Sequence, residues 1–191
     1  MTTDSVSLSK YRAQTGTNRL GLWLFLISDA FMFGGLLVSR FYLLGTYERP
    51  EVSQIIGLAV TSILLISSFF MNRAEVAISF GDQKAFLRNT MITLVLGTIF
   101  LIGVVGVEWQ LAPYGPNAGA VWSLFYTMTG FHAFHVLTGV IFLAIIYRNG
   151  RKGQYDGERH WPVEAAAVYW HFIDVVWIFF YPALYLIGSA A

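Results

Sequence analysis

Long apolar runs alternate with short polar breaks along this chain, and the breaks set the elements. Between Arg19 and Arg40 the only charge is Asp29, and Val52–Asn72 and Asn89–Val107 carry none at all. A helix crossing about 30 Å of hydrocarbon needs about 20 mostly apolar residues, so each run predicts a spanning helix. The stretch Trp109–Tyr147 is also free of formal charge but is too long for one span. Its Pro113, Gly115, Pro116 and Asn117 are turn chemistry, so a loop precedes a fourth span. A fifth run from Val163 encloses Asp174. The pattern predicts an all-α polytopic membrane protein, a five-transmembrane-helix bundle. Its spans fall at about 20–44, 52–72, 89–107, 121–147 and 163–187. Residues 1–19 form a polar amino-terminal tail and 20–188 one transmembrane domain.

Composition agrees. Of 191 residues 56% are hydrophobic and 12% charged, where a soluble domain has about 25% charged. The absence of cysteine excludes disulfides, thiolate zinc, iron–sulfur clusters and cysteine-ligated copper in this chain. A net charge of +1 gives no reason to expect nucleic acid. No Ala-x-Ala-type cleavage pattern follows the first apolar run, so that run is expected to stay as a membrane span.

Charge orients the bundle. Lys10, Arg12, Arg19, Arg73, Lys84, Arg88, Arg148, Arg151, Lys152 and Arg159 fall on one side of a five-helix path, and Arg40 and Arg49 on the other. The positive-inside rule makes the amino terminus cytoplasmic and the carboxyl terminus external, an N-in/C-out topology. Pro182 lies within the last span, where a kink is expected.

Polar residues at membrane depth carry the functional information. Asp29 and Asp174 stand about 13 and 15 Å along their helices at 1.5 Å per residue, near the midplane, where an unpaired charge costs at least ~3 kcal/mol. Glu164, His171 and Asp174 share one stripe of the fifth helix, and His132 and His135 one stripe of the fourth. A consistent packing points both stripes and Asp29 at one another, a polar interhelical seam. Ala30/Gly34 and Gly35/Ser39 are expected to let the first helix approach closely. Glu108 closes the third helix as an interfacial acid. The histidines also admit a haem or metal reading. His132 and His135 cannot flank one haem, however, so His171 would have to contribute, and neither a Glu-x-x-His pair nor a His-Glu-x-x-His motif is present. Asp29 could instead begin a proton relay. No broken, repeated halves suggest a transporter, and no Gly-x-Ser-x-Gly suggests a protease.

Two segments carry a family resemblance. Tyr169–Trp177, reading Tyr-Trp-His-Phe-Ile-Asp-Val-Val-Trp, and Gly130–Gly139, reading Gly-Phe-His-Ala-Phe-His-Val-Leu-Thr-Gly, resemble the signatures of subunit III of haem–copper cytochrome c oxidases. Leu26-Ile27-Ser28-Asp29 resembles that family's acidic motif, with Asp where mitochondrial members have Glu. The resemblance runs from about Leu20 to Gly188, in the shorter five-helix form of bacterial members, without the two amino-terminal helices that complete a lipid cleft in the longer form. It implies a subunit with no catalytic residue, metal or cofactor of its own. The isolated chain's status as an enzyme is left open, while its complex would be a proton-translocating oxidase. Haem and copper would lie in partner subunits. Catalytic subunit I, subunit II and membrane phospholipids would be its partners, in a bacterial inner (plasma) membrane. It implies for Asp29 lipid contact or support of proton uptake. The roles implied for the chain are stabilising subunit I, binding lipid and sustaining its proton supply. A quinol oxidase, a nitric-oxide-reductase-associated relative or an autonomous membrane haem protein are the alternatives.

Overall fold

The computed structural model describes residues 3–190. Among them, five helices are long and apolar enough to cross a membrane: α1 (Thr3–Leu44), α2 (Gln54–Ser79), α3 (Gln83–Leu111), α4 (Ala120–Arg151) and α5 (Trp161–Leu186). The described part of the amino-terminal tail is helical and continuous with the first span, α1 running back to Thr3. No proline interrupts the chain before Pro50, and the Tyr11 hydroxyl accepts from the backbone N–H of Trp161 at 3.0 Å. That contact ties the start of α1 to the start of α5.

The ends of the helices follow from local chemistry. Ser53 caps α2 by accepting from the Ile56 N–H, and Asp82 caps α3 by accepting from the Ala85 N–H. Between α2 and α3, Gly81 takes φ +77°, a left-handed conformation that ends one helix tightly before the next. Asp156 holds the loop before α5 by accepting from the N–H groups of Glu158 at 2.8 Å and Arg159 at 2.7 Å. Those two backbone donors push the Asp156 carboxyl below its usual range. A lowered folded value adds order above the ordinary aspartate range and loses it as pH falls through the lowered one. Amide exchange at Glu158 and Arg159, compared with neighbouring loop amides, should therefore accelerate on acidification only below the ordinary aspartate range. Asp156→Asn should abolish that pH step.

Two spans contain π-helical turns. Residues Ile102–Glu108 of α3 and Pro182–Leu186 of α5 are wound this way. Pro182 has no N–H to give the preceding turn, and the chain answers with a wider turn at the place where a kink was expected. In α3 the wider turns shift the helical register and bring Glu108 to the inner side.

α5 is the axis of the bundle. Over its most apolar stretch 56% of the residues are buried, against 11% for α1, which lies at the edge. Trp170 and Trp177 point inward and donate their indole N–H to Ser67 Oγ at 3.0 Å and Thr61 Oγ1 at 2.9 Å, both on α2. The aromatic run at the end of α5 divides by helical period, Trp177 and Phe180 buried and Ile178 and Phe179 exposed. Close helix approach occurs at Gly97 of α3 and Gly139 of α4, which both press on the ring of Trp170. It does not occur at Gly34 and Gly35 of α1, where an added Cβ would meet nothing within 4 Å. The small residues of α1 leave a shallow apolar groove against Phe172 and Val176 instead.

Candidate functional site: polar groups inside the bundle

The seam is divided among several helix pairs. Asp29 faces α4, and its Oδ2 lies 3.4 Å from His135 Nε2, with 16% and 10% of the two side chains exposed. His135 Nδ1 is 2.8 Å from the Phe131 carbonyl. A carbonyl only accepts, so Nδ1 carries a hydrogen. An acid Asp29 facing a bare Nε2 and a carboxylate facing an imidazolium would differ only in the position of one proton, and the pair has zero net charge in both. Phe33 and Phe134 wall the imidazole edge-on, with centroids 4.8 and 5.7 Å away.

His132 does not share that contact. It is fully buried between Trp177, at a centroid distance of 4.6 Å, and Phe100, at 5.6 Å, and neither ring nitrogen has a hydrogen-bond partner among the described residues. His132 and His135 share a face of α4 at three-residue spacing, but that stripe serves two different neighbours. His171 faces α2, its Nδ1 2.6 Å from Ser68 Oγ. Asp174 is 3% exposed beside the same Ser68. Glu164 lies at the helix start, paired with Arg19 at 2.7 Å and with His160 Nε2 at 3.5 Å. The expected convergence of all six residues on one seam is therefore replaced by an α1–α4 pair, an aromatic pocket, an α2–α5 cluster and a surface ion pair. Among the described residues no group of three or more His, Cys, Asp or Glu could hold a metal ion.

Glu108, expected at the interface, is 2% exposed and accepts a 2.5 Å hydrogen bond from the Tyr185 hydroxyl. The cause is the π-helical register described above.

Arg40 is the residue that the sequence pattern missed. It has no exposed surface, and it donates to four carbonyls: Ala183 at 3.0 Å, Gly45 at 3.0 Å, Glu48 at 2.6 Å and Ile187 at 3.1 Å. The guanidinium thus closes the end of α5 and the turn after α1 together. Beside it Glu48–Arg49 pairs in parallel with Ser189–Ala190. The available signal was position: four apolar residues, Phe41–Leu44, follow Arg40 before the polar loop begins. That places it a full turn inside the helix rather than at its tip.

Comparison with known proteins places this arrangement in context. The family model described as cytochrome c oxidase subunit III matches residues 8–189. A protein of Thermostichus vulcanus named cytochrome c oxidase subunit 3 is 38% identical over 174 residues, covering 88% of this chain and 86% of that protein. The proteins of the same name from Bos taurus and Ceratotherium simum are each 34% identical over 184 residues, covering 90% of this chain and 70% of theirs.

Proposed function

The chain belongs to the cytochrome c oxidase subunit III family, and from that premise we propose that it is the accessory flank of a haem–copper terminal oxidase. In this reading it stabilises the catalytic subunit I, binds phospholipid and sustains proton delivery to its partner. Haem and copper belong to the partner subunits, and no residue of this chain takes part in the redox chemistry. The end carrying Lys10, Arg19, Lys84 and Arg151 faces the cytoplasm, in a bacterial plasma membrane.

One observation carries the proton role: the Asp29–His135 contact at 3.4 Å, on the least buried helix of the bundle. A proton that moves between a carboxyl and an imidazole without changing the net charge can be held in a nonpolar setting. With 16% of the Asp29 side chain still exposed at the edge of the chain, a neighbouring subunit can reach it. The remaining polar groups then serve assembly: Trp170 and Trp177 hold α5 to α2, and Arg40 fixes the outer end.

The test is Asp29→Asn in the assembled oxidase. Asparagine keeps the size and a hydrogen bond to Nε2 but cannot give up or take the proton. Assembly should be intact, while turnover slows or the working lifetime shortens, increasingly as pH rises and protons become scarce. An assembled variant with parental turnover and lifetime across that pH range would make Asp29 purely structural.

A further inference from the structure

A cleft of about 410 Å³ opens between α2 and α3 at the cation-rich end, away from Asp29 and His135. It is lined by Asn72, Arg73, Val76, Phe80, Asp82 and Asn89, among others. Three of these have polar capacity that no protein group uses. Arg73 makes no ion pair among the described residues, and its guanidinium merely lies 5.7 Å from the Phe69 ring centroid. The Asn72 and Asn89 side chains make no hydrogen bond among the described residues, although Asn89 is 3% exposed. These amides line the cleft, where their donors and acceptors are free for a ligand.

Depth sorts the charges. Arg73 stands six residues before the end of α2 at Ser79, and Asn89 six residues after the start of α3 at Gln83. Both are about 9 Å from the helix ends at 1.5 Å per residue, at the border of the hydrocarbon. Asp82 lies in the turn itself, nearer water, where one of its oxygens caps α3 and the other is left for a donor. The cleft therefore presents a cation and two amides deep, and a carboxylate at the rim. Val76 and Phe80, both largely exposed, form its apolar wall.

We propose that this cleft binds the headgroup of a zwitterionic aminophospholipid of the phosphatidylethanolamine type. The phosphodiester meets Arg73 and the amides of Asn72 and Asn89, and the primary ammonium meets Asp82. A phosphatidylglycerol headgroup has no cation for Asp82, and the trimethylated nitrogen of phosphatidylcholine has no N–H to donate. Inorganic phosphate shares the anion chemistry but lacks both the ammonium and the chains that cover Val76 and Phe80. The inference rests on the lipid-binding part of the proposed function and names a lipid class and a place for it.

The test uses the full chain, purified in mild detergent with the subunits that accompany it and placed in nanodiscs of equal phosphatidylethanolamine, phosphatidylglycerol and phosphatidylcholine. Lipids still bound after detergent washing are counted by class with native mass spectrometry. The parent should retain phosphatidylethanolamine about tenfold over the other two, the factor expected from one charge-assisted contact. Arg73→Gln, at an exposed position, should lose that lipid with unchanged helicity. Asp82→Asn, which preserves a good helix cap, should keep a lipid but lose the preference to within about twofold. Three results would overturn the site: undiminished phosphatidylethanolamine in Arg73→Gln, an unchanged preference in Asp82→Asn, or displacement of the lipid by excess inorganic phosphate. Loss of a polypeptide in place of a lipid from Arg73→Gln would assign the cleft to a protein partner and equally overturn it. A parent retaining other lipids but no phosphatidylethanolamine defeats this inference alone, whereas a parent retaining no lipid of any class defeats the lipid-binding reading beneath it.

Discussion

Arg40→Met should melt about 10 °C below the parent, with the carboxyl-terminal segment released to protease before the rest of the chain. The four carbonyls that receive the guanidinium, on Ala183, Gly45, Glu48 and Ile187, would lose their donor, the first in a buried contact and the other three in partly buried ones. Each stranded buried acceptor costs about 1–3 kcal/mol. Partial relaxation of the loop limits the sum to about 3–5 kcal/mol, the range seen when one partner of a buried charged network is removed. For a chain of this size each kcal/mol moves the midpoint by about 2–4 °C. Arg40→Lys keeps the charge but offers a compact ammonium without the planar fork that spans four acceptors, so it should recover only part of the loss. Thermal unfolding of the purified protein, read alongside limited proteolysis, checks both variants. A methionine variant melting within about 2 °C of the parent would show that the four carbonyls find other donors.

The second large effect is expected at Gly97. An added Cβ there would collide with the six-membered ring of Trp170, and the same ring lies 3.0 Å from an added Cβ at Gly139. The indole cannot swing aside freely, because its N–H is held by Ser67 at 3.0 Å and the side chain is 1% exposed. Overpacking of a tight core costs about 1–3 kcal/mol for a small addition. Gly97→Ala should fall in that range, and Gly97→Val should exceed it and reduce the amount of folded protein recovered. Gly34→Ala is the matched control. It lies on α1, where an added Cβ meets nothing within 4 Å, and it should leave stability unchanged. Tryptophan fluorescence during thermal unfolding distinguishes the pair, and equal midpoints for Gly97→Val and Gly34→Ala would remove the Trp170 clamp from the account.

The contrast between those two glycines shows what the sequence could and could not convey. The five spans were legible because lipid selects on length and apolarity, and both are one-dimensional. Their ends moved by a few residues where capping decided them, as at Ser53 and Asp82. Which face of a helix is close to a neighbour is not written in small-residue spacing alone. Gly34 and Gly35 have the spacing without the contact, while Gly97 and Gly139 have the contact because a tryptophan from a distant segment packs against both. The polar residues divide in the same way. Asp29 and His135 stood out as polar groups at depth, and they do meet. His132 and His171, one on each expected stripe, face Trp177 and Ser68 instead. Register also escaped the pattern, since π-helical turns in α3 carry Glu108 inward to Tyr185. Arg40 was hidden for another reason. Its partners are all backbone carbonyls, which every residue has and no pattern of side chains reveals.

The most direct measurement of the central claim is to purify the chain from its native membrane in mild detergent and record an optical spectrum with metal analysis, before and after stripping it from its partners. A haem–copper subunit should come with it, and haem and copper should leave with that partner while the stripped chain has no haem band. A haem spectrum of two-histidine ligation that stays with this chain, abolished by substituting His171, would contradict that claim.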